Sequence, residues 1–249
     1  MNEVTGAVKA ETTRAPEALA TVFEDVRVVV VHKPAGLAAI PERDLEQPSA
    51  QRNLEAIRGD RLFVVHRIDK EVSGLLVFAR DAATHRTLSI AFERRDVQKR
   101  YLGLAWGLLA VGSAGEWTMP IHAFGSGRMG VDKRGKPSLT RWKSLALGAL
   151  PAGPVTLLEL EPHTGRRHQL RVHAYAAGHA LVGDPRYGEP TLQKTQPRLA
   201  LHAQAARVMV GTVSYDWLVP PPPSLVAMFD AAGVMAAVTR TGDSSDDLI

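Results

Sequence analysis

Cysteine is absent from this 249-residue chain. That excludes a disulfide framework and any thiolate metal site, and it fits a reducing compartment. No apolar run approaches the roughly 18 residues that suggest a membrane-spanning helix. Residues 1–20 lack the apolar core of a secretory signal, so the expected location is cytoplasmic. The chain contains no internal repeat or low-complexity tract. The Gly-x-x-x-x-Gly-Lys-Ser pattern of a nucleotide triphosphatase loop is also missing.

What remains is a chain of ordinary hydrophobic content, 45%, long enough for one large domain or two small ones. The net charge is +4 and the pI about 9.5. The cations are clustered: Arg94, Arg95, Lys99 and Arg100; then Lys133, Arg134, Lys136, Arg141 and Lys143; then Arg166, Arg167 and Arg171. Such clusters are compatible with a polyanion along one face, and equally with solvated faces that never meet.

One stretch organises the rest. In Phe63–Arg80, two apolar runs with strand composition flank a polar turn carrying His66, Arg67 and Asp69. Gly74 suits a tight backbone there. A further strand is expected over Val26–Val31, broken by Pro34 and Gly36, followed by a polar loop and short helix over 40–60. Asp81 is a candidate N-cap for a helix over 82–94. Strands are expected over Lys99–Gly107, 138–147 and 155–161, with loops and a Trp117–Ile121 strand inside the Gly-rich 108–138 segment. A helix over about 167–177 should end at Gly178, a strand should begin near Leu201, and Pro220–Pro223 should close the fold. Many consecutive strands point to an α+β fold with a largely antiparallel sheet. The expected divisions are a flexible arm over 1–22, with a helical turn near Pro16–Thr21, a single domain over 23–235, and a disordered tail over 236–249.

His163, His168 and His173 invite a metal reading. Helical ligand pairs sit four apart, whereas a spacing of five turns side chains about 140° apart. No Asp or Glu lies between them, so no metal is expected.

Four motifs carry a family resemblance. His66-Arg67-Ile68-Asp69 with Ser73-Gly74-Leu75-Leu76 resembles the His-Arg-Leu-Asp, Thr-Ser-Gly-Leu-Leu signature of the RluA-type RNA pseudouridine synthases. Ile68 for Leu keeps the volume; Val72 for Thr loses a hydroxyl. Lys33-Pro34-Ala35-Gly36-Leu37 is similar to the family's Asn-Lys-Pro-x-Gly-Leu, with His32 in place of Asn. Lys99-Arg100-Tyr101 resembles its Lys-x-Tyr segment. Gly165-Arg166-Arg167-His168-Gln169-Leu170-Arg171-Val172-His173 resembles Gly-Arg-Thr-His-Gln-Leu-Arg-Val-His, followed by a Gly-Asp-x-x-Tyr-Gly element at Gly183–Gly188 and a last match at Leu201-His202-Ala203.

The resemblance implies a long mixed, mostly antiparallel sheet with flanking helices and a central catalytic cleft. Strand one, expected by about Val26, leaves no room for the S4-like domain that many members carry. The implied reaction isomerises uridine in structured RNA, ribosomal or transfer, to pseudouridine, with no cofactor and no metal. Asp69 would be the catalytic carboxylate, acting at C1′, at C6, or through a glycal-type intermediate. Tyr101 would stack on the uracil, and Arg171 would pair with Asp69 to keep it ionised. The target base must be flipped out. Arg67 would fill the vacated space, His66 would order the flipped strand, and Arg166, Arg167 and His168 would contact phosphates or support the cleft. RNA is the implied partner; a monomer with no membrane and no required protein partner is the default expectation. The alternatives are a non-catalytic RNA-binding or RNA-folding protein on the same fold and, more remotely, a metal-dependent hydrolase using the histidines.

Overall fold

A computed structural model describes residues 19–44 and 46–243. In chain order the elements are β1 (Ala20–Glu24), β2 (Val28–Lys33), α1 (Ala50–Arg58), β3 (Phe63–Val64), β4 (Ser73–Ala79), α2 (Ala82–Arg94), β5 (Gln98–Trp106), β6 (Ala114–Trp117), β7 (Ile121–Ala123), β8 (Met129–Val131), β9 (Thr140–Leu150), β10 (Gly153–Pro162), α3 (Gln169–Ala176), α4 (Pro190–Gln193), β11 (Leu201–Val210), β12 (Val213–Leu218), α5 (Pro223–Ala231) and α6 (Met235–Asp243). They divide into two compact units. One is the chain up to Lys99 together with Ala203–Pro223; the other is Arg100–His202 with the chain from Ser224.

In the first unit the strand order is β1-β2-β4-β11, with β3 beside β4 and β12 beside β11. The four valines of β2 are fully buried because strands lie on both sides, and β-branched residues suit that position. Successive side chains serve opposite faces. Val28 and Val30, with Leu75 and Val77 of β4, pack against Leu88 and Ala91 of α2 and Tyr215 and Trp217 of β12. Val29 and Val31, with Leu76 and Phe78, pack against Ala50 and Leu54 of α1. Helix α2 starts as its sequence predicts: the Asp81 carboxylate accepts from the Thr84 N–H at 2.8 Å.

The second unit carries the antiparallel order β5-β10-β9-β6. Leu102, Leu104, Val155 and Leu157 pack against Leu225, Met228, Phe229 and Val238 of α5 and α6. A hairpin, β7–β8, packs Ile121 and Met129 against Val172 of α3 and Tyr187.

Four expectations need correction. A strand, β1, precedes β2, so chain order begins at Ala20 rather than near Val26, and Thr21 extends instead of closing a helical turn. The Trp117–Ile121 segment splits into β6 and β7, since Pro120 has no N–H for a ladder. Helix α3 starts at Gln169, because His168 takes a left-handed φ of 55°. The tail is helical through Asp243: Ala237 and Val238 are buried and the Thr241 hydroxyl donates to the Val238 carbonyl. The rest of the expected arm and tail, residues 1–18 and 244–249, lies outside the described residues.

Gly74 shows how tightly β4 is packed. Its φ is +120°, and a Cβ there would sit 2.2 Å from the Ala203 carbonyl oxygen. Gly74→Ala should therefore cost more than about 2 kcal/mol. Gly165→Ala, where a Cβ meets nothing within 4 Å, should stay within about 0.5 kcal/mol. Urea unfolding of the two variants checks the contrast.

Candidate active site

The turn bearing Asp69 lies between β3 and β4 in the first unit. Register pairs Phe63 with Ala79 and Val64 with Phe78, so residues 65–72 must loop out and return. Ile68 and Val72 are buried and anchor the loop; the Val72 N–H donates to the Asp69 carbonyl at 3.1 Å. Val72 thus holds the turn with backbone and apolar bulk, without the hydroxyl of a Thr.

Lys33 supplies the main brace. Its side chain is 0% exposed. The ammonium donates to the carbonyls of Pro34, Leu37 and Lys70 at 2.8, 2.7 and 3.2 Å. The Gly36 N–H donates to the same Lys70 carbonyl at 2.7 Å. Two turns far apart in sequence are therefore tied together one residue from Asp69.

His66 is held inside the fold. Its Nε2 accepts from the Val77 N–H at 3.0 Å, and its ring stacks on Phe92 at 4.7 Å. An imidazole that accepts at Nε2 is neutral with its proton on Nδ1. Burial, assisted by the nearby Lys99 cation, pushes its pKa down to about 3. Arg67 is exposed and Asp69 half-buried. Lys70 pairs with Glu42 at 3.6 Å on the surface.

Tyr101 and Arg171 belong to the second unit. Tyr101 is half-buried on β5, opposite Leu160 of β10. Arg171 is 1% exposed. Its Nε and Nη2 donate to the two carboxylate oxygens of Asp184 at 2.7 and 2.8 Å. Asp184 also accepts from the N–H groups of Arg186 and Tyr187, and the Arg171 guanidinium lies 5.3 Å over the Tyr187 ring. The sequence placed Asp184 in a motif but gave no sign that it grips Arg171.

The neighbours of Arg171 divide by role. Arg166 donates to the Pro137 carbonyl, and Arg167 is exposed. His168 is buried, with Nδ1 2.8 Å from the Tyr187 hydroxyl. His173 lies 3.0 Å from the Thr140 hydroxyl through Nδ1 and 2.9 Å from the Met119 carbonyl through Nε2; a carbonyl can only accept, so Nε2 carries the proton. These two imidazoles thus serve different protein partners.

A family model for RNA pseudouridylate synthases matches residues 27–176. The chain belongs to the RNA pseudouridylate synthase family. It is 32% identical over 195 residues to the dual-specificity RNA pseudouridine synthase RluA of Haemophilus ducreyi, covering 76% of this chain and 86% of that one. It is 34% identical over 200 residues to the protein of the same name from Pasteurella multocida, covering 79% and 89%. The solved structure of human RNA pseudouridylate synthase domain containing 1 superposes with a TM-score of 0.73 at 32% identity, covering 87% of this chain and 90% of that one. The α+β pseudouridine synthase fold and the enzyme class, an isomerase acting on uridine in RNA, follow from these likenesses. Among the described residues no helix is long and apolar enough to cross a membrane.

Two measurements test the brace in this synthase. Lys33→Met deprives the Pro34 and Leu37 carbonyls of their charged donor. It should cost about 3 kcal/mol or more, seen as a lower urea midpoint; an unchanged midpoint would contradict the brace. For His66, the folded pKa lies below the ordinary 6.5, so the unfolded chain binds the proton first. Its contribution to stability is whole above pH 6.5 and is lost as pH falls towards about 3. Its ring-proton NMR shifts should therefore stay constant from pH 8 to pH 5.

Proposed function

We infer that Asp69 is the carboxylate that starts the isomerisation, by attack at C1′ or C6 or by assisting a glycal-type intermediate. The observation that carries this is the braced turn: Asp69 is the one acid between His66 and Lys70, half-buried on a loop whose next carbonyl is fixed by Lys33. Reacting groups need such positioning from rigid supports. The N1–C1′ bond breaks, the base turns, C5 bonds to C1′, and the C5 proton leaves as N1 gains one.

Tyr101 stacks on the uracil, a contact worth roughly 1–3 kcal/mol per base. Arg171 supplies the cation that keeps Asp69 ionised; its grip by Asp184 fixes where the guanidinium points. Arg67, exposed beside the turn, fills the space left by the flipped base. Arg166 and Arg167 meet phosphates. His66 and His168, both engaged inside the fold, shape the RNA-facing surface from behind. The catalytic domain takes in β1 and α6 as well as the elements between them, and works in the cytoplasm as a monomer, without metal or cofactor. Relatives named for dual specificity and for the ribosomal large subunit support ribosomal or transfer RNA as the substrate class.

Transcripts carrying [5-³H]uridine test this directly, because isomerisation releases the C5 tritium. Asp69→Asn should lower the rate by about three orders of magnitude or more while RNA affinity and melting temperature hold. Substantial residual turnover would remove Asp69 from the chemistry.

A further inference from the structure

Lys99 is the basic residue at the start of β5 that the chemistry above leaves without a task. The burial pattern of the strand separates its two faces. Arg100 and Leu102 are buried, while Lys99 and Tyr101 are half-buried. Residues two apart on a strand share a face, so Lys99 lies on the face of β5 that carries Tyr101.

The two adjacent cations are provided for differently. Arg100 has Glu159 at 3.7 Å and the Thr241 carbonyl at 3.4 Å. The Lys99 side chain makes no hydrogen bond or ion pair among the described residues. Its charge is felt by His66, at the entrance to the Asp69 turn, and that imidazole is kept neutral by accepting the Val77 N–H. The neutral tautomer spares a cation–cation contact. Desolvation holds the Lys99 ammonium down to about 8, so it is still mostly charged at neutral pH. A half-buried ammonium without an acid destabilises the free protein. Such a cost is retained where a ligand supplies the missing anion.

We propose that Lys99 binds a backbone phosphate of the RNA strand that bears the target uridine, beside the base stacked on Tyr101. This rests on the reading of Asp69 and Tyr101 given above. The role differs from that of the exposed arginines. A phosphate held on the Tyr101 face fixes the flipped nucleotide itself, whereas surface cations attract the RNA as a whole.

The test uses the full-length protein, its Lys99→Met and Lys99→Arg variants, and ribosomal and transfer RNA transcripts labelled with [5-³H]uridine. Met keeps the length and bulk of the side chain without the charge. For Lys99→Met the half-saturating RNA concentration should rise about tenfold, the size of one charge-assisted hydrogen bond. The dependence of log affinity on log salt should become shallower by about one. Lys99→Arg should restore most of both. The Met variant should melt no lower than the wild type, since it removes an uncompensated charge. Unchanged half-saturation and salt slope in a wild-type-active background would overturn the proposal alone. A lower melting temperature with an unchanged salt slope would do the same, by assigning Lys99 to the fold. If the wild-type protein releases no tritium from any transcript, the reading of the active site fails, and the role of Lys99 fails with it.

Discussion

A buried ammonium bonded to three backbone carbonyls holds the end of the first unit that carries Asp69 in place. Burying a lysine costs several kcal/mol unless its protons are satisfied. Lys33 sits at the end of β2, opposite Gly74 in register, where the Pro34–Leu37 turn curls back over it. Carbonyls aimed inward by that turn, and the Lys70 carbonyl from the neighbouring one, offset the loss of water. The geometry works in both directions: the turns make a site for the cation, and the cation fixes the turns. Asp69 precedes Lys70, so the backbone that presents its carboxylate has little freedom left.

The same logic recurs in the second unit. Arg171 is as buried as Lys33, and its guanidinium is gripped in two places by Asp184 and covered by the Tyr187 ring. Tyr187 in turn reaches His168 and the Met129 N–H with its hydroxyl. A planar fork bonded bidentately cannot rotate, so the charge of Arg171 is fixed in place. Imidazoles serve the scaffold: His66 by stacking and accepting a backbone N–H, His173 by bridging Thr140 and Met119. Each is held below its usual pKa by burial, so both stay neutral through the physiological range.

Much of this was legible in the residues. Consecutive valines announced β2, and the Asp81 cap announced α2, because both signals are local. Asp69 stood out as the one acid between His66 and Lys70. What could not be read was the partnership of side chains distant in sequence. Nothing near Lys33 says that its ammonium reaches the carbonyl of Lys70, and nothing near Arg171 names Asp184. Local rules also failed where tertiary contacts overrode them. His168 adopts a left-handed backbone that shortens α3, and α6 forms in a polar segment because Ala237 and Val238 find a core to enter.

The most direct test of the central claim, that this chain isomerises uridine through a carboxylate on a braced turn, is a map of pseudouridines in RNA from cells with and without the protein, by carbodiimide labelling and primer extension. The prediction is that one or a few sites vanish without the protein and return with the wild-type chain but not with the Asp69→Asn chain. Sites that return equally with both would contradict it.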